Sequence, residues 1–316
     1  MKWSTEIPIS KVPAPIDYHS GVLLMGSCFA AHMGEHLRYF QFRQWTNPFG
    51  VIFHPQPLAG LVTRALEHRP FTGDDLFEHQ GLWRCYAAHG SLAHPDAGNA
   101  LERLNGSLQT LATALRSATH VVVTLGTAWG YRHRESGILV ANCHKQPSGY
   151  FSKELAGVSA IAGILDTLLG TLKEANPQVT PILTVSPVRH LRDGIVENQR
   201  SKAHLVTAIH QVLEAHGAHY FPAYELLVDE LRDYRFYAED LAHPSAVAVQ
   251  HIWDRFREAW VSPAAQPVMD RVEALRKGLA HRPLNPQSEG HRAFLQKLEG
   301  QRETLQAEFP HMDFSS

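Results

Sequence analysis

Three short apolar runs give the chain its skeleton: Val22–Met25 closed by Gly26, His120–Leu125 (HVVVTL) closed by Gly126, and Pro181–Ser186 (PILTVS) closed by Pro187. Each is continuous rather than alternating, which is the pattern of a strand buried on both faces of a parallel sheet. Between them the period lengthens to that of a helix. Phe29, Met33, Leu37 and Phe40 share one face after the first run, and Leu58, Leu61, Val62 and Leu66 mark a helix over Leu58–His68. Further helices are predicted over Ala100–Ser117, Ser152–Ala175 and Ser201–His216. A short run at His219–Pro222 reads as another strand, a helical stretch begins near Tyr224, and a last sheet-associated helix runs through Trp260. Strands alternating with helices predict βαβ units and a mainly parallel α/β sheet.

The connecting segments read differently. Met1–Asp17 is expected to be an extended, proline-punctuated arm and Trp45–Pro57 a loop rich in turn formers. Phe71–Asp96 is expected to be a strand pair or an excursion over the sheet, and Tyr131–Ala141 a hairpin turning at Glu135–Gly137. Beyond Val261 the character changes. Pro263 and Pro267 precede two charged amphipathic segments, Val268–His281 and Glu289–Glu308, which predict an appended helical hairpin and a division into residues 1–260 and 261–316. Its apolar stripe is expected to cover the sheet domain or to join a partner, a second copy of the chain included.

Composition narrows the class. With 316 residues, 44% hydrophobic and 19% charged, the chain can bury a large core, and its net charge of −2 gives no basic footprint for nucleic acid. Its three cysteines, Cys28, Cys85 and Cys143, are odd in number and unpatterned, so neither a disulfide framework nor a cysteine-rich zinc module is indicated. The 21 histidines show no metal-ligand spacing, and no metal or cofactor is expected. The run at Val22 is too short to span a bilayer, and the first residues lack a basic stretch leading into an apolar one. A cytoplasmic protein with no membrane span is the expectation.

Candidate chemistry starts where the first run turns into a helix, leaving Ser27 and Cys28 on the turn. Doubly wound sheets place their sites at the carboxyl ends of strands, and a thiol at a helix N-terminus is expected to ionise more easily than free cysteine. The alternative is that Cys28 is a small buried apolar residue. Asp240–Leu241–Ala242–His243–Pro244 supplies a base and a carboxylate to orient it, the proline fixing the backbone so that both project from one loop. Read more simply, that stretch is a capping Asp and a loop His. Backbone N–H groups at Gly50 and Gly126, and side chains of Asn47 and Thr127, are expected donors to an oxyanion, although Asn47 also fits an ordinary Asn-Pro turn. Arg189 and Arg235, just beyond inferred strand ends, are expected to bind an anionic part of a substrate or else to pair with Asp193 and Asp233. Cys143 in Asn142–Lys145 is not expected to be a nucleophile, because adjacent side chains on a strand point to opposite faces.

The order Gly26–Ser27–Cys28–Phe29–Ala30, NPFG, TLGTAW, ANCHK, SPVRH and DLAHP resembles the GSCFA-domain family over roughly Gly21–Arg257. That family is similar to the SGNH or GDSL hydrolases and acyltransferases, so the resemblance implies a three-layer α/β/α, flavodoxin-like fold. It also implies that Cys28 stands at the nucleophile position, counted from Gly26, and that Asp240 and His243 match the DxxH pair. Gly50 would correspond to the second oxyanion glycine. Thr127 and Ala128 stand where an asparagine is usual, which removes one oxyanion donor. The resulting expectation is a cofactor-independent esterase or acyltransferase acting on a small-molecule or acyl-carrier substrate through an acyl-enzyme, with Cys28 or Ser27 as nucleophile, His243 as base and Asp240 orienting it. Two rivals stand beside it. One is a non-catalytic carbohydrate- or peptide-binding module on a degenerate hydrolase fold. The other is a phosphoryl or nucleotide site using Arg189, His190, Lys202 and Arg235 around an anion, which no Walker or dinucleotide glycine pattern supports.

Overall fold

In the computed structural model, which describes residues 5–314, the three buried runs form the middle of one parallel sheet. In chain order the elements are β1 (Gly21–Gly26), α1 (Cys28–Tyr39), β2 (Arg43–Thr46), α2 (Pro55–Leu66), β3 (Phe77–His79), β4 (Leu82–Arg84), α3 (Ala97–Ser117) and β5 (His120–Leu125). Next come β6 (Trp129–His133), β7 (Leu139–Val140), β8 (Phe151–Leu155), α4 (Val158–Ala175), β9 (Thr180–Val185), α5 (Ile195–His216) and β10 (His219–Phe221). The chain closes with α6 (Ala223–Glu225), which runs into a π-helical turn at Leu226–Leu231, then α7 (Ala246–Trp260), α8 (Gln266–Leu279) and α9 (Glu289–Glu308).

The main sheet has five strands in the order β10-β9-β5-β1-β2, with Leu23 opposite Val121 and Val121 opposite Pro181. All its pairings are parallel. Counting only these strands, the order is 2-1-3-4-5, the flavodoxin-like arrangement, and the strand order reverses between β1 and β5. Every residue of β1 and of β5 is buried, because helices cover both faces. Leu23, Met25, Val121, Val123 and Leu183 pack against α2, α3, α4 and α5. Val22, Leu24, Val122 and Ile182 face the other way, into a core built with α1, α7 and α8. Leu298, Leu305 and Phe309 belong to that second core, so the C-terminal hairpin lays its stripe on the sheet domain.

Several elements depart from the sequence expectation. β2 lies partly within the expected loop; its residues Arg43, Gln44, Trp45 and Thr46 form an edge strand too polar and exposed to show an apolar run. Ser152–Leu155 is not the start of a helix: it lies in β8, antiparallel to β6, and α4 begins at Val158. α5 begins at Ile195, before the expected Ser201, because Ile195 and Val196 point to solvent and leave no helical apolar pattern in the first turn. Of the expected arm, residues 1–4 lie outside the described residues; beyond them Ile7 N–H donates to Glu230 Oε2 at 2.7 Å, and Ile16 bridges to Val261.

Candidate functional site

The turn after β1 is held from three sides. Gly26 has φ of +126°, and a Cβ there would collide with the Thr124 carbonyl oxygen, so only glycine fits. Ser27 N–H donates to that same carbonyl at 3.0 Å. Ser27 is fully buried as the N-cap of α1, its Oγ accepting the Phe29 N–H at 3.2 Å. Cys28 follows as the first helical residue and is half-buried. Asn47 clamps the turn from the β2 side: its Oδ1 accepts the Gly26 N–H at 2.8 Å, and its Nδ2 faces the Ser27 carbonyl at 3.5 Å.

The groups expected to donate to an oxyanion are engaged within the fold. Gly50 N–H closes a turn on the Asn47 carbonyl at 2.7 Å, and Gly126 N–H donates to the Phe53 carbonyl at 2.8 Å. Thr127 Oγ1 lies 3.0 Å from Ser201 Oγ and accepts the Trp129 N–H at 3.0 Å. The amides of Gly50 and Gly126 are therefore already committed, while Asn47 and Thr127 hold turns through the hydrogen bonds that their side chains accept.

A lysine takes the place at the sheet edge that sequence reasoning gave to those donors. Lys202 on α5 is 1% exposed, and its Nζ donates to the carbonyls of Gly126 at 2.8 Å and Ser186 at 2.7 Å, the residues that follow β5 and β9. Burial pushes its pKa down to about 7, with Cys28 acting in the opposite direction. Burial likewise pushes the Cys28 thiol above its ordinary value, outweighing its own backbone amide, Lys202 and the Phe29 amide, which pull it down. The expected easily ionised thiol is thus overturned: desolvation exceeds what the helix N-terminus supplies. A signal for Lys202 was present in the sequence, since Asn198, Ser201, Leu205, Ala208, Ile209 and Val212 share its buried helical stripe.

His190 extends this group. Burial pushes it down to about 4, and its charged neighbours are Lys202, Asp193 and His243. Its Nε2 is buried and unpartnered among the described residues, and its ring meets the Phe53 ring edge-on at 5.1 Å. The next link is backbone: Arg189 N–H donates to the Ala242 carbonyl at 3.0 Å, tying this loop to Asp240–Pro244. There His243 Nδ1 lies 2.6 Å from Asp240 Oδ2. Asp240 Oδ1 accepts the amides of Ala242 at 3.0 Å and His243 at 2.9 Å. Those amide bonds, with the imidazole, hold the carboxyl down to about 2. Both side chains are about half exposed. Electrostatic neighbours therefore run from Cys28 through Lys202 and His190 to His243, although no hydrogen bond joins Cys28 to His243 among the described residues.

A cleft of about 410 Å³ opens beside this line, with Phe53, Thr127, Trp129, Cys143, His190 and Arg192 in its walls. Neither Arg189 nor Arg235 lines it. The Arg189 guanidinium lies 4.0 Å over the Tyr237 ring, and Arg235 is exposed and paired with Asp233 at 2.8 Å. With Lys202 buried and Arg235 in solvent, the four basic residues of the rival anion site do not surround one point. Asp193 pairs instead with Lys153. Among the described residues, no group of three His, Cys, Asp or Glu side chains is placed to hold a metal ion, and no helix is long and apolar enough to cross a membrane.

A sequence model described as the GSCFA family matches residues 21–256, which contain the turn, Lys202, His190 and the Asp240–His243 loop. The chain belongs to the GSCFA family. A second model, the GSCFA domain protein C-terminal domain, matches residues 272–316, so the GSCFA unit and the helical hairpin are recognised separately. No curated protein matches the chain. Among solved structures this GSCFA chain is similar to a carbohydrate esterase family 3 protein from Talaromyces cellulolyticus, at 14% identity and a TM-score of 0.31, over 81% of this chain and 99% of that one. It is also similar to an acetyl xylan esterase, Est2A, from the rumen bacterium Butyrivibrio proteoclasticus, at 14% identity and a TM-score of 0.34, over 78% of this chain and 65% of that one.

Proposed function

We propose that this GSCFA-family protein is an acyl-transfer enzyme that cleaves or transfers an ester-linked acyl group through a thioester on Cys28, with His243, oriented by Asp240, as its acid–base group. The observation that carries the reading is the position of Cys28: half-buried on the first turn of α1, where the strand order reverses and ligands bind outside the carboxyl ends of parallel strands. Ser27 is the weaker nucleophile because its hydroxyl is fully buried and committed to the helix cap. As the Cys28 sulfur attacks the acyl carbonyl, His243 takes the thiol proton and passes it to the departing oxygen; it then takes a proton from the water, alcohol or amine that attacks the thioester and returns it to the departing sulfur. A cleft of about 410 Å³, lined by His190 and Thr127 and not by Cys28, Asp240 or His243, has the size of a small-molecule site. The test is incubation with 4-nitrophenyl acetate followed by peptide mass spectrometry. An acetyl group on Cys28, absent from Cys28→Ala, is expected; a chain that never acquires it is a binding module and not an acyl-transfer enzyme.

A further inference from the structure

We propose that the cleft between the small sheet of β6, β7 and β8 and the loop after β9 binds a small organic anion, a carboxylate or a phosphate ester carried on an aromatic body. The proposal stands on the walls of the cleft and does not depend on Cys28 being a nucleophile. At about 410 Å³ the cleft has room for such a molecule, and the rings of Phe53, Trp129, Tyr131 and Phe151 in its walls supply apolar surface for the body.

The charges in the wall do not balance. Asp193 is the one carboxylate among the described lining residues, and it is already paired with Lys153, whose Nζ lies 4.4 Å from the centre of the Trp129 ring. Lys145 and Arg192 also line the cleft, from the turn after β7 and the loop after β9, and neither has a carboxylate partner among the described residues. The histidines of the wall are pushed toward the neutral form by burial, His54 and His190 down to about 4. The excess positive charge therefore belongs to Lys145 and Arg192. Beside low-dielectric walls, two such cations attract an anion more strongly than they would in open water.

The turn that carries Lys145 is braced. Asn142 Oδ1 accepts the His144 N–H at 2.7 Å, the Cys143 carbonyl accepts the Gln146 N–H at 3.0 Å, and Tyr86 donates its hydroxyl hydrogen to Gln146 Oε1. The buried His144 ring is anchored with its Nε2 2.8 Å from the Cys85 carbonyl oxygen. These bonds hold His144 and Lys145 at φ of +52° and +59°, a left-handed pair that neither residue type favours by itself. Lys145 is thus set in place before any ligand arrives, which lowers the ordering cost of binding. His190 adds a third polar group to the wall: its Nε2 is buried without a partner among the described residues, and the neutral ring can carry there the N–H that a carboxylate or phosphate oxygen accepts.

The experiment is isothermal titration calorimetry of the full chain with phenyl phosphate and with benzoate, and with benzamide as the neutral match. At least one of the anions is expected to bind about tenfold or more tighter than benzamide, and the tighter anion names the head group. Lys145→Met and Arg192→Met replace exposed side chains and are each expected to weaken that anion by about tenfold or more. Cys143, half-buried in the same wall, reports the location: the bound anion is expected to slow its alkylation by iodoacetamide, read by peptide mass spectrometry. No heat with either anion, equal affinity for benzamide, unchanged affinity in both variants, or Cys143 alkylation that the anion leaves untouched overturns the proposal. Acetylation of Cys28 by 4-nitrophenyl acetate is scored separately, so a cleft that takes no anion and a chain that forms no acyl-enzyme are distinguishable.

Discussion

His243 Nδ1 and Asp240 Oδ2 lie 2.6 Å apart on the same short loop, and the second oxygen of that carboxylate binds the loop's own amides. The pair is braced locally: Leu241 between them adopts φ of +56°, and Arg189 holds the loop through the Ala242 carbonyl. With its carboxyl held down to about 2, Asp240 is anionic at neutral pH and can keep the imidazole oriented. Asp240→Asn is therefore expected to lower kcat with 4-nitrophenyl acetate by about 100-fold or more, with KM little changed. A variant turning over at the wild-type rate would show that the Asp240 carboxylate has no part in orienting the imidazole.

The two neighbours on the turn separate by measurement of adduct and stability together. Cys28→Ala is expected to form no acetyl-enzyme. Ser27→Ala is expected to form it and to lose about 1 kcal/mol in urea denaturation, because only a helix cap has been removed. Turnover kept in Cys28→Ala and lost in Ser27→Ala would reverse the assignment.

Glycine positions give a sharper structural test. Gly26→Ala combines a left-handed backbone with a collision against the Thr124 carbonyl, and is expected to cost about 3 kcal/mol or more. Gly60→Ala, in the exposed middle of α2 where a Cβ meets open space, is expected to stabilise by up to about 1 kcal/mol. Denaturation curves of the two variants should move in opposite directions.

Stability should also depend on pH through buried histidines. Burial lowers both His54 and His190 to about 4, whereas an unfolded histidine titrates near 6.5. Between those values the unfolded chain binds more protons, so stability rises with pH across the window and is lost on acidification. Each ring contributes up to about 1.4 kcal/mol for every pH unit between its folded and unfolded values, several kcal/mol for the two together. The midpoint of thermal unfolding should fall from neutral pH toward pH 4. A constant midpoint would mean that both rings are solvated.

The legible parts of the fold were those where burial was two-sided or the stripe regular. His120–Leu125 and Val22–Met25 declare themselves because both faces of the sheet are covered, and α8 and α9 because Val268, Met269, Val272, Leu298 and Leu305 repeat at helical spacing. β2 is invisible because an edge strand with RQWT buries little, and β8 because FSKEL lies in a small exposed sheet beside a true helix. In the site, the Gly26–Cys28 turn and the Asp240–His243 pair are readable as local motifs. Lys202 reads from the sequence only as one cation among several. Its burial depends on two carbonyls from distant strands, and pattern within α5 alone marks a lysine there as an exception, not as a functional group. The direction in which the Cys28 thiol moves is hidden for the same reason, since desolvation belongs to the assembled fold.

One side chain joining the ends of β5 and β9 also ties the edge of the sheet to the docking of α5. Val22 pairs with His120 and His120 with Thr180, so the strands that frame Cys28 meet only after long loops have closed. α5 must then dock before Lys202 can reach the carbonyls of Gly126 and Ser186. A chain with its helices formed but its sheet edge open would therefore lack the lysine bracket that joins the ends of β5 and β9.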